Sequence, residues 1–165
     1  MKLFAALLTT LLITGCGGDG DGDGDGTVTE LEGAWIETCH GLTTGYEIES
    51  ATFAGNTFTI SQKKYSDSAC TVVNGTNSAT GTFTIENSIT ASSGLSAKEI
   101  DVTILVINGS DASITFYDIF RIDGDKLYFG DAGEYDENED DWEYSGITEE
   151  KRPIDLDFSW YYTKE

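Results

Sequence analysis

From Leu31 onward the chain shows no apolar repeat at helical spacing. Thr, Ser, Ile, Phe and Tyr instead alternate in short runs broken by Gly, Asn and Asp. A two-residue period belongs to a strand with one buried face, because successive side chains of an extended chain point to opposite sides. The runs predict strands over Ala34–Cys39, Tyr46–Phe53, Thr57–Tyr65, Cys70–Val73, Thr80–Glu86, Glu99–Ile107, Ser113–Ile122, Lys126–Gly130 and Leu156–Tyr162. Between them, Gly55-Asn56, Asn108-Gly109 and Asp123-Gly124 supply residues that tolerate the positive φ of tight hairpin turns. Consecutive strands are therefore expected to pair as an antiparallel meander.

The same period assigns faces. Phe58 and Ile60, Phe83 and Ile85, and Ile100, Val102, Ile104 and Val106 are expected to point inward. Near the C-terminus Ile154, Leu156, Phe158, Trp160 and Tyr162 share one face, with Asp155, Asp157 and Ser159 on the other. Asp118 interrupts the apolar series Ile114, Phe116, Phe120 and Ile122. A buried carboxylate needs a partner, so a bulge or a place at a barrel mouth is the preferred reading; an inward Asp118 would be a polar handle in a ligand cavity. The fold class is all-β, a single antiparallel meander closing into a β-barrel of about eight to nine strands, which hides the apolar face and removes exposed edges. A two-sheet β-sandwich is the alternative.

Ahead of this region the pattern changes. The segment MKLFAALLTTLLITGC places Lys2 before an apolar run from Leu3 to Ile13, then small residues and Cys16. That is the layout of a signal peptide, shorter than the roughly 20 apolar residues a spanning helix needs. Ile13-Thr14-Gly15-Cys16 resembles the bacterial lipobox. The resemblance implies that Cys16 is acylated and becomes the mature N-terminus, and Gly17 after it points to the outer membrane. Gly17 to Gly26 reads GGDGDGDGDG, a composition that buries no apolar surface and serves as a flexible tether. The expected organisation is a signal peptide over 1–15, lipidated Cys and linker over 16–30, and the β domain over 31–165.

Asp21 to Glu32, DGDGDGTVTELE, also fits a calcium-loop pattern. Asp21, Asp23 and Asp25 would be the first carboxylate ligands, Thr27 the backbone-carbonyl ligand and Glu32 the bidentate one. The flanking helices that preorganise such a loop are missing, so the linker reading is preferred and weak Ca²⁺ binding is the most expected. No other cofactor is.

Charge narrows the partners. The chain carries 9 Lys and Arg against 30 Asp and Glu, a net charge of −21, which repels phosphate backbones and excludes nucleic acid. The membrane reached through the lipid, neutral small ligands and basic proteins remain. With Cys16 used for lipid, Cys39 and Cys70 form an even pair in an oxidising compartment, and a disulfide between them is the simplest assignment. His40 is the only histidine, so no Ser-His-Asp set is apparent, and neither a phosphate loop nor zinc spacing occurs. The run DAGEYDENEDDWE from Asp131 to Glu143 is expected to be a long solvated loop, with Tyr135, Trp142 and Tyr144 as aromatic anchors if it meets a partner.

Gly33-Ala34-Trp35 resembles the G-x-W element of lipocalin-like proteins. The resemblance implies a barrel whose Trp35 closes one end near a basic residue close to the end of the last strand, a role open to Arg121 or Arg152. The whole domain is similar to small envelope lipoproteins of Gram-negative bacteria with a lipocalin-like domain. Trp35, Asp118, Arg152 and Trp160 are the candidate ligand contacts, although core packing is the first expectation for both tryptophans. The leading functional reading is a monomeric, non-enzymatic envelope lipoprotein whose barrel binds a small apolar ligand or acts as an interaction module. The alternatives are an inhibitor of a basic envelope-directed enzyme of lysozyme type, and a carboxylate-based hydrolase. A cavity of about 300 Å³ or more would favour ligand binding. A filled core would favour protein binding, and two close inward carboxylates in a cleft would revive the hydrolase.

Overall fold

The structure is a computed structural model that describes residues 28–136 and 141–165. Its strands are β1 (Gly33–Ile36), β2 (His40–Leu42), β3 (Gly45–Ala54), β4 (Thr57–Tyr65), β5 (Val73–Thr90), β6 (Ser96–Ile107), β7 (Ser110–Asp123), β8 (Lys126–Phe129), β9 (Tyr135–Asp136), β10 (Asp141–Trp142) and β11 (Tyr162–Lys164). The meander β3 to β8 is continued by β11 and β1, and β1 pairs back onto β3. Eight antiparallel strands thus close a barrel, and β2 is an extra strand on the edge of β3 beyond β1. Closure is what separates this fold from the sandwich.

Three of the hairpins are joined by two residues, Gly55-Asn56 and Asn108-Gly109 as predicted and Gly124-Asp125 one position beyond the predicted Asp123-Gly124. Ala54 pairs with Thr57, Ile107 with Ser110 and Asp123 with Lys126. Asn108 and Gly109 both adopt positive φ, 50° and 79°, which is the requirement of a type I′ turn. Register shifts interrupt the ladders of β4, β5 and β6, for instance at Thr80/Gly81 and Ile104/Val106. Such bulges sharpen the twist and let long strands curl into a small barrel. Gly81 shows the tolerance at one of them: a Cβ there would lie 2.0 Å from the Thr103 carbonyl oxygen.

The interior is packed with side chains. Trp35, Phe53, Phe58, Ile60, Phe83, Ile100, Val102, Ile104, Phe116, Phe120 and Leu127 form one core. The void among Phe58, Ile60, Ile100, Val102, Phe129 and Tyr162 has a volume of only about 10 Å³. Trp35 closes one end, its indole N–H donating to the Leu31 carbonyl at 2.7 Å. The cation beside it is Lys164, 5.1 Å from the ring centroid, and not Arg121 or Arg152. Lys164 takes the place because it is the direct cross-strand partner of Trp35 where β11 meets β1.

Several sequence expectations are corrected. Cys70–Val73 is not a strand: Cys70 sits in a turn with φ 50°, and β5 begins only at Val73 and runs to Thr90. The acidic run is not wholly loop, because β9 and β10 pair within it and Tyr135 and Trp142 meet at 5.4 Å. The run from Leu156 to Tyr162 is a strand only from Tyr162, so its alternation assigns no common face. Ile154 and Phe158 are exposed, whereas Leu156 packs outside the barrel on Ala97 and Ile119. The cause is a strap that crosses the outer surface, tied by the Tyr117 N–H to the Gly146 carbonyl and by the Ser92 N–H to the Ile154 carbonyl, both at 2.8 Å. A one-turn 3-10 helix, Glu149–Lys151, lies within it.

Candidate functional site: a carboxylate-filled barrel end and an acidic groove

The inward face of β3 reads Glu47, Glu49, Ala51, Phe53, apolar toward Trp35 and acidic toward the opposite end. The parity of Phe53 forces both glutamates inside. Glu37, just past β1, bonds through its N–H to the Glu49 carbonyl and brings a third carboxylate to the same end. All three are almost fully buried, at 4 %, 0 % and 2 % exposure for Glu37, Glu47 and Glu49. Gln62 lies opposite Glu49 on β4 and is equally buried.

Donors converge on these acids. The Tyr162 hydroxyl donates to Glu49 Oε1 at 2.5 Å, and the Trp160 indole N–H donates to Glu37 Oε1. Burial, then the charges of Glu49 and Glu37, hold the Tyr162 hydroxyl well above the usual phenol range, so it remains a donor. His40, on β2, places Nε2 3.0 Å from Glu47 Oε1 and Nδ1 3.2 Å from the Thr38 carbonyl and 3.7 Å from Glu37 Oε2. Its ring meets the Trp160 ring edge-on at 4.0 Å. The Gln62 side-chain carbonyl accepts from Asn77 at 3.0 Å, while its Nε2 has no hydrogen-bond partner among the described residues. The Cys39–Cys70 disulfide, with Cα atoms 5.9 Å apart, ties the segment carrying Glu37 and His40 to the β4–β5 turn. Among the described residues no group of three or more His, Cys, Asp or Glu side chains is placed to hold a metal ion.

Asp118 and Arg152 lie elsewhere. Asp118 is buried on the same strand face as Phe116 and Phe120, and the bulge falls at Ile104/Val106 instead of at this residue. Its Oδ1 accepts the N–H groups of Ile119 at 2.7 Å and Gly130 at 3.0 Å, and this is the partner an inward carboxylate requires. Burial pushes its pKa up to about 6 against the pull of those two donors and of Arg152. Gly130 must be glycine here, since a Cβ would stand 2.5 Å from Asp118 Oδ1 and 2.3 Å from Pro153. Arg152 works on the outer surface, donating to the carbonyls of Asp118 at 2.9 Å and Ile100 at 3.2 Å and to Asp101 Oδ1 at 2.7 Å. It pins the strap to the barrel wall. Trp35 is core, and Trp160 joins the acidic end.

Where the strap leaves the wall it forms an open groove of about 560 Å³ between Ile89, Thr90, Ser92 and Glu99 on one side and Glu149, Glu150, Arg152, Pro153 and Ile154 on the other. The sequence holds no local signal for it, because β5, β6 and the strap meet only through the fold. The acidic end was partly legible, since Glu47 and Glu49 share the parity of Phe53. Cys16, Asp21, Asp23, Asp25 and Thr27 lie outside the described residues. Glu32, the last residue of the calcium-loop pattern, accepts the Gly55 N–H at 3.0 Å and so closes the β3–β4 turn.

The described chain is thus a small closed antiparallel β-barrel with a filled interior, a disulfide-bound acidic end and an outer strap. No protein-family model matches it, and no curated protein sequence does.

Proposed function

We propose that this chain is an envelope lipoprotein, anchored in the outer membrane through acylated Cys16, whose non-enzymatic lipocalin-like barrel acts as an interaction module for a basic protein. The observation that carries the choice between module and ligand carrier is the packed interior. The void of about 10 Å³ among the core side chains falls far short of the ~300–1,000 Å³ of small-molecule pockets, which supports recognition on the outside. There the net charge of −21 favours a basic partner and speeds its approach. The proposed attachment is the lipid on Cys16; among the described residues no helix is long and apolar enough to cross a membrane.

An inhibitor of a basic, lysozyme-type enzyme is the form of this module that the open acidic groove favours. The hydrolase reading gains close carboxylates in Glu37, Glu47 and Glu49, but their burial offers them to the protein's own donors. The test is native mass spectrometry of lipoprotein purified from its own envelope, with titration of lysozyme and of an apolar fluorescent probe. Salt-sensitive binding of lysozyme and no uptake of the probe are expected. A stoichiometric apolar ligand retained in the barrel would overturn the reading.

A further inference from the structure

The groove beside the strap has both walls and charge. Half-buried Ile89 and Ile154, which is 49 % exposed, contribute apolar surface, while Pro153, also lining the groove, is itself buried. Glu99, Glu149 and Glu150 supply carboxylates along the same groove. The cation among the lining residues, Arg152, is already engaged. Its side chain is 10 % exposed, its guanidinium bonds Asp101 at 2.7 Å, and its Nε lies 3.7 Å from Glu99. Asp101 offsets the charge of Arg152, so the remaining glutamates give the groove a net negative potential. At physiological salt that potential reaches about 8 Å, enough to act across the groove.

We propose that this groove is the docking site for a Lys- or Arg-rich segment of a protein partner. Long basic side chains suit it because their methylene stems cover apolar surface while their heads stay near water and carboxylates. Ile89 and Ile154 would take the stems and Glu99, Glu149 and Glu150 the heads. The groove volume of about 560 Å³ accommodates a short stretch of such a segment and not a whole domain. This inference rests on the interaction-module reading and gives that reading a location.

The experiment uses the full mature lipoprotein in detergent micelles and fluorescent octa-arginine as the probe, followed by anisotropy at low and near-physiological salt. The triple variant Glu99→Gln/Glu149→Gln/Glu150→Gln is compared with a charge-matched control, Asp111→Asn/Asp123→Asn/Asp125→Asn, whose residues are exposed, lie at the ends of β7 and in the β7–β8 turn, and do not line the groove. Near-UV circular dichroism checks that both variants keep the fold. The groove variant is expected to bind on the order of tenfold more weakly, and the control to change less than about threefold. Equal losses in both variants would show that overall charge binds the probe and would overturn the groove while leaving the module. Failure of the parent to bind octa-arginine or lysozyme even at low salt would overturn the basic-partner reading itself.

Discussion

Asp118→Asn should stabilise the barrel at neutral pH and do almost nothing in mild acid. The carboxyl is fully buried, and its pKa rises from 3.8 to about 6 because burial penalises the charged form more than the N–H groups of Ile119 and Gly130 repay. A folded-state value above the unfolded one means that the native chain holds the proton more tightly. The associated stability is fully present below about pH 3.8 and is lost as pH rises through about 6. At ~1.4 kcal/mol per pH unit, the interval amounts to about 3 kcal/mol. Asparagine keeps an oxygen that can accept from the same two N–H groups and carries no charge to desolvate. Part of the gain is offset by the loss of the charge-assisted character of those bonds and of the attraction to Arg152. The expected net effect is therefore a gain of about 1–3 kcal/mol at about pH 7, falling toward zero at about pH 4. Urea unfolding followed by tryptophan fluorescence at both pH values, for parent and variant, measures it. If the variant is less stable than the parent at pH 7, or if the difference between them is independent of pH, the ionised carboxylate does not destabilise the fold.

At the acidic end, His40→Ala removes a ring held between Glu47 and Glu37 and should cost about 1–3 kcal/mol, the penalty of taking a hydrogen-bonding partner from a buried polar group. Adding Glu47→Gln should recover part of that loss, and purely additive effects in this double-mutant cycle by thermal unfolding would show that the two side chains are uncoupled. Replacing Cys39 and Cys70 by Ser opens a loop of sequence separation 31 and should cost about 3–4 kcal/mol; non-reduced peptide mapping should recover the two parent peptides linked, and finding both as free thiols would contradict the bond. Cys16→Ser should release the protein from the membrane fraction, and its retention there would sink the proposed anchor.

Local alternation determined much of this protein without help from the fold. The runs over Thr57–Tyr65, Glu99–Ile107 and Ser113–Ile122 became β4, β6 and β7, because a half-buried strand writes its own period into the chain. The two-residue turns at Gly55-Asn56 and Asn108-Gly109 were equally legible, since tight hairpin turns favour residues tolerant of positive φ. The parity of Phe53 also carried Glu47 and Glu49 indoors, a consequence of the pleat that needs no neighbour. Other features needed distant partners. The alternation from Ile154 to Tyr162 promised a strand face, yet most of that segment became an outer strap, because the inner wall was already occupied and Leu156 found its apolar surface on Ala97 and Ile119. Barrel closure depended on β1 meeting both β11 and β3. The gathering of Glu37, His40, Glu47, Glu49, Trp160 and Tyr162 at one end depended on that closure. A sequence pattern records which side of its own strand a residue faces; which residues from the far ends of the chain face it across the interior is settled only when the sheet closes.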